Sequence, residues 1–186
     1  ISYDFENKVL HGNFSANLNV AGGILKGGGD AVLHYAPDVW YVYVGTPEQR
    51  FGLSIGIGSI RANADSYFMV GTKILGSPPP PENVTKILGG KDYNYMKDLN
   101  SIGKGGGFAF GASFSVSTGD MQFLIFYASF SAGAGFDIMI KNYGDTYCEG
   151  SNKRIGINGW YANGQAYAYF QGSEGIKVRV LRRKKK

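Results

Sequence analysis

The sequence predicts a mainly β protein: long antiparallel strands in a sandwich or barrel-like sheet, with two short helices inserted at about 80–101. Three observations carry this. Residues 106–141 alternate, with Phe108, Phe110, Ala112, Phe114 and Val116, then Leu124, Phe126, Ala128, Phe130, Ala132, Phe136, Ile138 and Ile140 at even positions, and mostly small or polar residues such as Gly111, Ser113, Ser129 and Gly133 between them. A period of two is that of a strand with two unlike faces. The same pattern returns at 154–171, where Trp160, Ala162, Ala166, Ala168 and Phe170 oppose Tyr161, Asn163, Gln165, Tyr167, Tyr169 and Gln171. Finally, 29 glycines, 13 tyrosines and 12 phenylalanines suit pleated surfaces joined by tight turns.

The elements follow in order. Residues 2–20 read as a half-buried strand, with Phe14, Ala16, Leu18 and Val20 on one face. Turns are expected at Ala21-Gly22-Gly23 and at Gly27-Gly28-Gly29, and a short strand from Ala31 is halted by Pro37. Residues 39–46 and 50–58 are expected to pair through Thr46-Pro47-Glu48-Gln49. Val70-Gly71-Thr72 repeats Val44-Gly45-Thr46, suggesting neighbouring strands that end in like corners. Pro78 to Pro81 cannot pair within a sheet, and Glu82–Leu88 and the stretch after Asp92 are spaced for the two helices. Thr118-Gly119-Asp120 is the expected turn of the central hairpin, and Gly172-Ser173-Glu174-Gly175 of a later one. The organisation expected is a β-rich half at 1–77, a Pro-rich and helical piece at 78–105, long hairpins at 106–183 belonging with the first half, and a basic tail at 184–186. The chain starts at Ile1 without Met and reads as a mature product or an excerpt of a longer one.

Chemistry is sparse. Two histidines, His11 and His34, and one cysteine, Cys148, match no zinc spacing, and no acidic run resembles a calcium loop, so no metal or cofactor is expected. Cys148 sits beside Asp145 and Glu149, whose charge disfavours a thiolate. Lys104 is followed by Gly105 and a strand, not by the Ser/Thr and helix of a P-loop. Formal net charge is +5, but seven positives lie in the last ten residues, leaving 12 basic against 14 acidic elsewhere. Arg182, Arg183, Lys184, Lys185 and Lys186 are therefore a candidate site for an anionic surface, nucleic acid being disfavoured because no base-stacking module accompanies them. Trp160, Tyr161, Asn163, Gln165, Tyr167 and Tyr169 are the candidate ligand site: flat rings flanked by amides can stack on sugars and bond their hydroxyls. The plainer reading is a sheet surface held by cross-strand pairs.

The run from Gly159 to Tyr169, the Val-Gly-Thr corners, the Pro78–Pro81 block and Gly107-Phe108-Ala109-Phe110-Gly111 together resemble a segment of very large, uncharacterised secreted proteins of Bacteroidota. The resemblance spans most of the chain, and its motifs are structural and carry over no catalytic residue. It implies export to the cell surface of a Gram-negative bacterium and a non-enzymatic role. The first functional expectation is a structural or interaction module of a large secreted or cell-surface protein, partnered by other segments of that chain or by other surface proteins. The second is an outer-membrane β-barrel or part of one, because 108–116 and 122–140 are long enough and suitably two-faced to span a bilayer. The third is a carbohydrate-binding β domain that takes glycans on the tyrosine face.

Overall fold

The computed structural model describes residues 1–74, 105–123, 126–147 and 150–176, with Lys86 and Gly89 between. Ten strands form one antiparallel sheet. They are β1 (Ser2–Asp4), β2 (Val9–Val20), β3 (Leu25–Tyr35), β4 (Trp40–Val44), β5 (Phe51–Ile57), β6 (Ile60–Gly71), β7 (Gly107–Thr118), β8 (Met121–Phe123), β9 (Phe126–Asn142) and β10 (Trp160–Ile176). There is one sheet rather than two facing ones. A 3-10 turn at Ala21–Gly23 joins β2 to β3, and the helices expected at 80–101 lie outside the described residues.

The order β1-β2-β3-β4-β6-β7-β9-β10 conceals a simpler plan. The expected hairpin between 39–46 and 50–58 does not form. Instead β4 and β5 lie end to end between the same two neighbours: β4 pairs with Ala31–Tyr35 and Phe68–Gly71, β5 with Leu25–Gly28 and Ile60–Ser66. They act as one stave, interrupted by an excursion of residues 46–50. Thr46 N–H donates to Gln49 O (2.9 Å) and Gln49 N–H to Thr46 O (3.1 Å), closing the excursion at its neck. β7 and β8 are likewise one stave against β9. The sheet is therefore an eight-stave meander in which each stave pairs with the next in sequence.

Four local expectations need correction. Thr118-Gly119-Asp120 is a bulge, not a hairpin turn. Ser117 opposes Ser131 and Met121 opposes Ala128, so three residues face two and the pairing slips by one. Thr118 Oγ1 takes the N–H of Phe130 at 3.0 Å, and Gly119 N–H donates to Ser59 O at 2.6 Å. The reversal falls between Phe123 and Phe126. Secondly, Gly27-Gly28-Gly29 is strand interior, where β4 hands over to β5; a Cβ on Gly29 would lie 2.6 Å from the ring of Phe51. Thirdly, β10 runs through Gly172–Gly175 to Ile176 without turning, paired with β9 throughout. Fourthly, the repeated Val-Gly-Thr segments do lie on neighbouring strands, since Val42 opposes Val70, but their corners differ: Gly45 follows the end of β4 at φ 68°, whereas Gly71 is the last residue of β6 at φ 152°.

Register sorts the side chains onto two faces. One face, here the inner, carries His11, Asn13, Ser15, Asn17 and Asn19 of β2; Lys26 and Asp30 of β3; Arg61, Asn63, Asp65, Tyr67 and Met69 of β6; Ala109, Gly111, Ser113 and Ser115 of β7; and Gly133, Gly135, Asp137, Met139 and Lys141 of β9. The core lies on this face: Tyr67, Met69, Ala109 and Met139 are buried beneath Ile74, with Tyr43 packed against them. Tyr43 Oη donates to Lys73 O (2.7 Å) and Lys141 Nζ to Ile74 O (3.3 Å), which ties the segment after β6 over the sheet. Among the described residues no layer covers the bulky apolar face, whose large side chains are half-buried to exposed.

Candidate functional site

The excursion at 46–50 delivers Arg50 to the inner face. Its Nη2 reaches Asp137 Oδ1 at 2.7 Å, its Nη1 reaches Asp65 Oδ1 at 3.3 Å, and its Nε donates to Pro47 O at 3.3 Å. The guanidinium carbon stands 5.0 Å from the centre of the Tyr67 ring, within cation–π range. Ser113 Oγ donates to Asp65 Oδ2 (2.8 Å) and Gln165 Nε2 to Asp137 Oδ2 (2.9 Å). Asp137 is fully buried, and 12% of the Arg50 side chain is exposed.

The cluster thus links β4/β5, β6, β7, β9 and β10. Arg50 can span them because β7 offers only Gly111 where it passes; a Cβ there would strike Asp137 Oδ1 and lie 2.6 Å from Tyr67 Cε1. All four carboxylate oxygens of Asp65 and Asp137 and all three guanidinium nitrogens of Arg50 are paired, so the arrangement ties strands together across the sheet. His11 and His34 face each other across β2 and β3 with their Nδ1 atoms 3.4 Å apart. Among the described residues no group of three or more metal-ligating side chains occurs.

The candidate ligand site on β10 is divided by the pleat. Tyr161, Asn163, Gln165, Tyr167 and Tyr169 project to the inner face, and Trp160 projects to the outer one. Gln165 is committed to Asp137. The Tyr169 ring lies over Gly133 and the Tyr167 ring over Gly135, with ring atoms 2.7 Å and 2.6 Å from where a Cβ would stand. These rings fill the space that the glycines leave, which is the cross-strand packing of the plainer reading. Arg182 to Lys186 and Cys148 lie outside the described residues. Sequence reasoning missed Arg50, Asp65 and Asp137. The available signal was that Asp65 and Asp137 are the acidic residues of β6 and β9, each on the polar side of its strand's alternation.

The second surface is the outer face. Here stand Phe14, Leu18 and Val20; Leu25, Leu33 and Tyr35; Trp40, Val42 and Val44; Leu53, Ile55 and Ile57; Ile60, Phe68 and Val70; Phe108, Phe110 and Phe114; Phe130, Phe136 and Ile138; and Trp160, Ala166 and Phe170. Within β2 to β10, Lys26, Asp30, Arg61, Asp65, Asp137 and Lys141 all fall on the inner face. Among the described residues, Glu174 near the end of β10 is the charged residue on the outer one. Phe114 is 56% exposed, Ile57 69% and Phe170 75%. At ~200 Å² per large side chain, these three alone bare roughly 400 Å² of apolar surface. Comparison with protein-family models, curated proteins and solved structures finds no match.

Proposed function

We propose that this chain builds the wall of an outer-membrane β-barrel, a non-enzymatic structural element whose outer face meets lipid. One observation supports this above the others: the outer face is apolar and essentially uncharged although its large side chains are half-buried to exposed, while the strand charges are gathered on the inner face, which holds the core. A sheet in water has the opposite arrangement, because burying apolar area is what drives its folding. In a bilayer the apolar face needs no protein cover, and antiparallel pairing meets the backbone's hydrogen-bonding needs. Among the described residues no helix is long and apolar enough to cross a membrane.

Dimensions agree. A membrane strand needs ~9–11 residues; β2, β6 and β7 have 12, and β9 and β10 have 17. On β10, apolar or small residues occupy the outer face from Trp160 to Gly172 before Glu174 is reached. In lipid an unpaired strand edge is untenable. The reading therefore requires the free edges of β2 and β10 to be closed, against each other or against further strands.

The test is extraction. Produced in a Gram-negative host, the full chain should sediment with outer membranes, resist high salt and alkali, and dissolve only in detergent. Recovery as a detergent-free, monodisperse folded monomer would overturn the proposal.

A further inference from the structure

The two ends of the meander differ. At one end, β2–β3, β5–β6 and β8–β9 are joined by residues 21–24, 58–59 and 124–125, which are connections of four, two and two residues. At the other end the connections are residues 5–8, 36–39, 72–106 and 143–159, of four, four, 35 and 17 residues. Charge follows length. The short connections read Ala-Gly-Gly-Ile, Gly-Ser and Leu-Ile and carry no ionisable side chain, whereas the four long-end connections hold Glu6, Lys8, Asp38, Lys73, Asp145 and Arg154 among others.

A second, independent feature marks the level of that end. Both tryptophans of the chain, Trp40 and Trp160, lie on the outer face at the first residue of β4 and of β10, and Tyr35 stands opposite Trp40. All three are substantially exposed, at 42%, 49% and 54%. The outer face at the opposite end presents aliphatic Val20, Leu25, Ile57 and Ile60. Rings with an apolar body and a polar edge collect where acyl chains give way to headgroups. The long connections thus begin where the lipid ends.

We infer that the sheet crosses the membrane with the strand ends at Tyr35 and Trp40, at Gly71 and Gly107, and at Asn142 and Trp160 outside the cell, the turns at 21–24 and 58–59 facing the periplasm, and Trp40, Trp160 and Tyr35 at the outer headgroup level. The inference rests on the membrane reading above, and on the general asymmetry of outer-membrane sheets, which have short periplasmic turns and longer external loops. It also places the Ile74 cover and the Arg50 cluster in the outward half of the wall, and the open serine-lined stretch of the inner face, Ser117, Ser131 and Ser173, toward the periplasm.

The experiment uses the full chain with Cys148→Ser and one cysteine introduced at an exposed turn, Asp38→Cys at the long-connection end or Ser59→Cys at the other. A maleimide that cannot cross the outer membrane is added to intact cells, and again after the membrane is permeabilised. Asp38→Cys should label in intact cells. Ser59→Cys should show no labelling until permeabilisation. If the pattern is reversed, or if neither labels in intact cells, while the chain remains in the outer-membrane fraction, the orientation is wrong and the membrane reading stands. If both label in intact cells and the chain washes off without detergent, the membrane reading itself fails. Deuteration or folding controls are unnecessary for this distinction, because each variant is read against its own permeabilised sample.

Discussion

Replacing Arg50 with alanine should destabilise the fold by about 3–5 kcal/mol, the range found when one partner of a buried ion pair is removed. Asp137 is fully buried and would keep the Gln165 amide on its other oxygen but lose its cation. Asp65 would lose its cation but retain Ser113 and some contact with solvent. The double substitution Arg50→Met with Asp137→Leu should recover most of the loss, because it leaves no fully buried charge unpaired and Asp65, without its cation, is part-exposed and keeps Ser113. The coupling between the two positions, read from a double-mutant cycle of denaturant midpoints in detergent micelles, should exceed ~1 kcal/mol. Additive single effects would mean that the tie across the sheet is decorative.

The second large effect belongs to the outer face. Ala166 sits six residues beyond Trp160, roughly 20 Å along β10 at ~3.3 Å per residue, which at a strand tilt of ~40° is about 15 Å below the tryptophan level. That depth is near the middle of the apolar band. Ala166→Arg should therefore cost about 2–4 kcal/mol of folding stability in a bilayer, although alanine has no side-chain packing to lose and the site is exposed. The same substitution on a water-facing sheet would fall within ~0.5 kcal/mol and would improve solubility. Gln171→Arg, on the inner face, is the matched control and should be tolerated, because register places it opposite Ser131 in polar surroundings.

Much of this architecture is legible in the residues, and what is not has identifiable physical causes. The period-two runs at Phe108–Val116 and Trp160–Phe170 mark strands and separate their faces correctly. Alternation does not say which face is enclosed, however, because a sheet in water and a sheet in lipid give the same pattern with the roles exchanged. The inner placement of Lys26, Asp30, Arg61, Asp65, Asp137 and Lys141 is what breaks that symmetry, and it emerges only once register joins strands that are distant in sequence.

Turn chemistry misleads for a related reason. Thr118-Gly119-Asp120 and Gly172–Gly175 carry turn residues, but pairing with β9 holds both in extended stretches, the first as a bulge and the second as straight strand with Gly175 making room for Tyr127. At 46–50 the local signal for a reversal is sound; the chain leaves the sheet there and returns to the same stave because β3 and β6 flank it on both sides. The Arg50 cluster was invisible because its partners lie 15 and 87 residues away.

One measurement bears directly on the reversed faces: a nitroxide scan along β7 in lipid, one cysteine-attached label at a time from residue 108 to 116. Labels at 108, 110, 112 and 114 should relax with dissolved oxygen, which concentrates in acyl chains, and labels at 113 and 115 should not; 109 and 111 are left unlabelled because a side chain there would collide with the packed core. Oxygen accessibility would then oscillate with a period of two, with its maxima on the phenylalanines. Maxima of a water-soluble paramagnetic reagent at those same even positions, or protection of both faces from both reagents, would contradict the account.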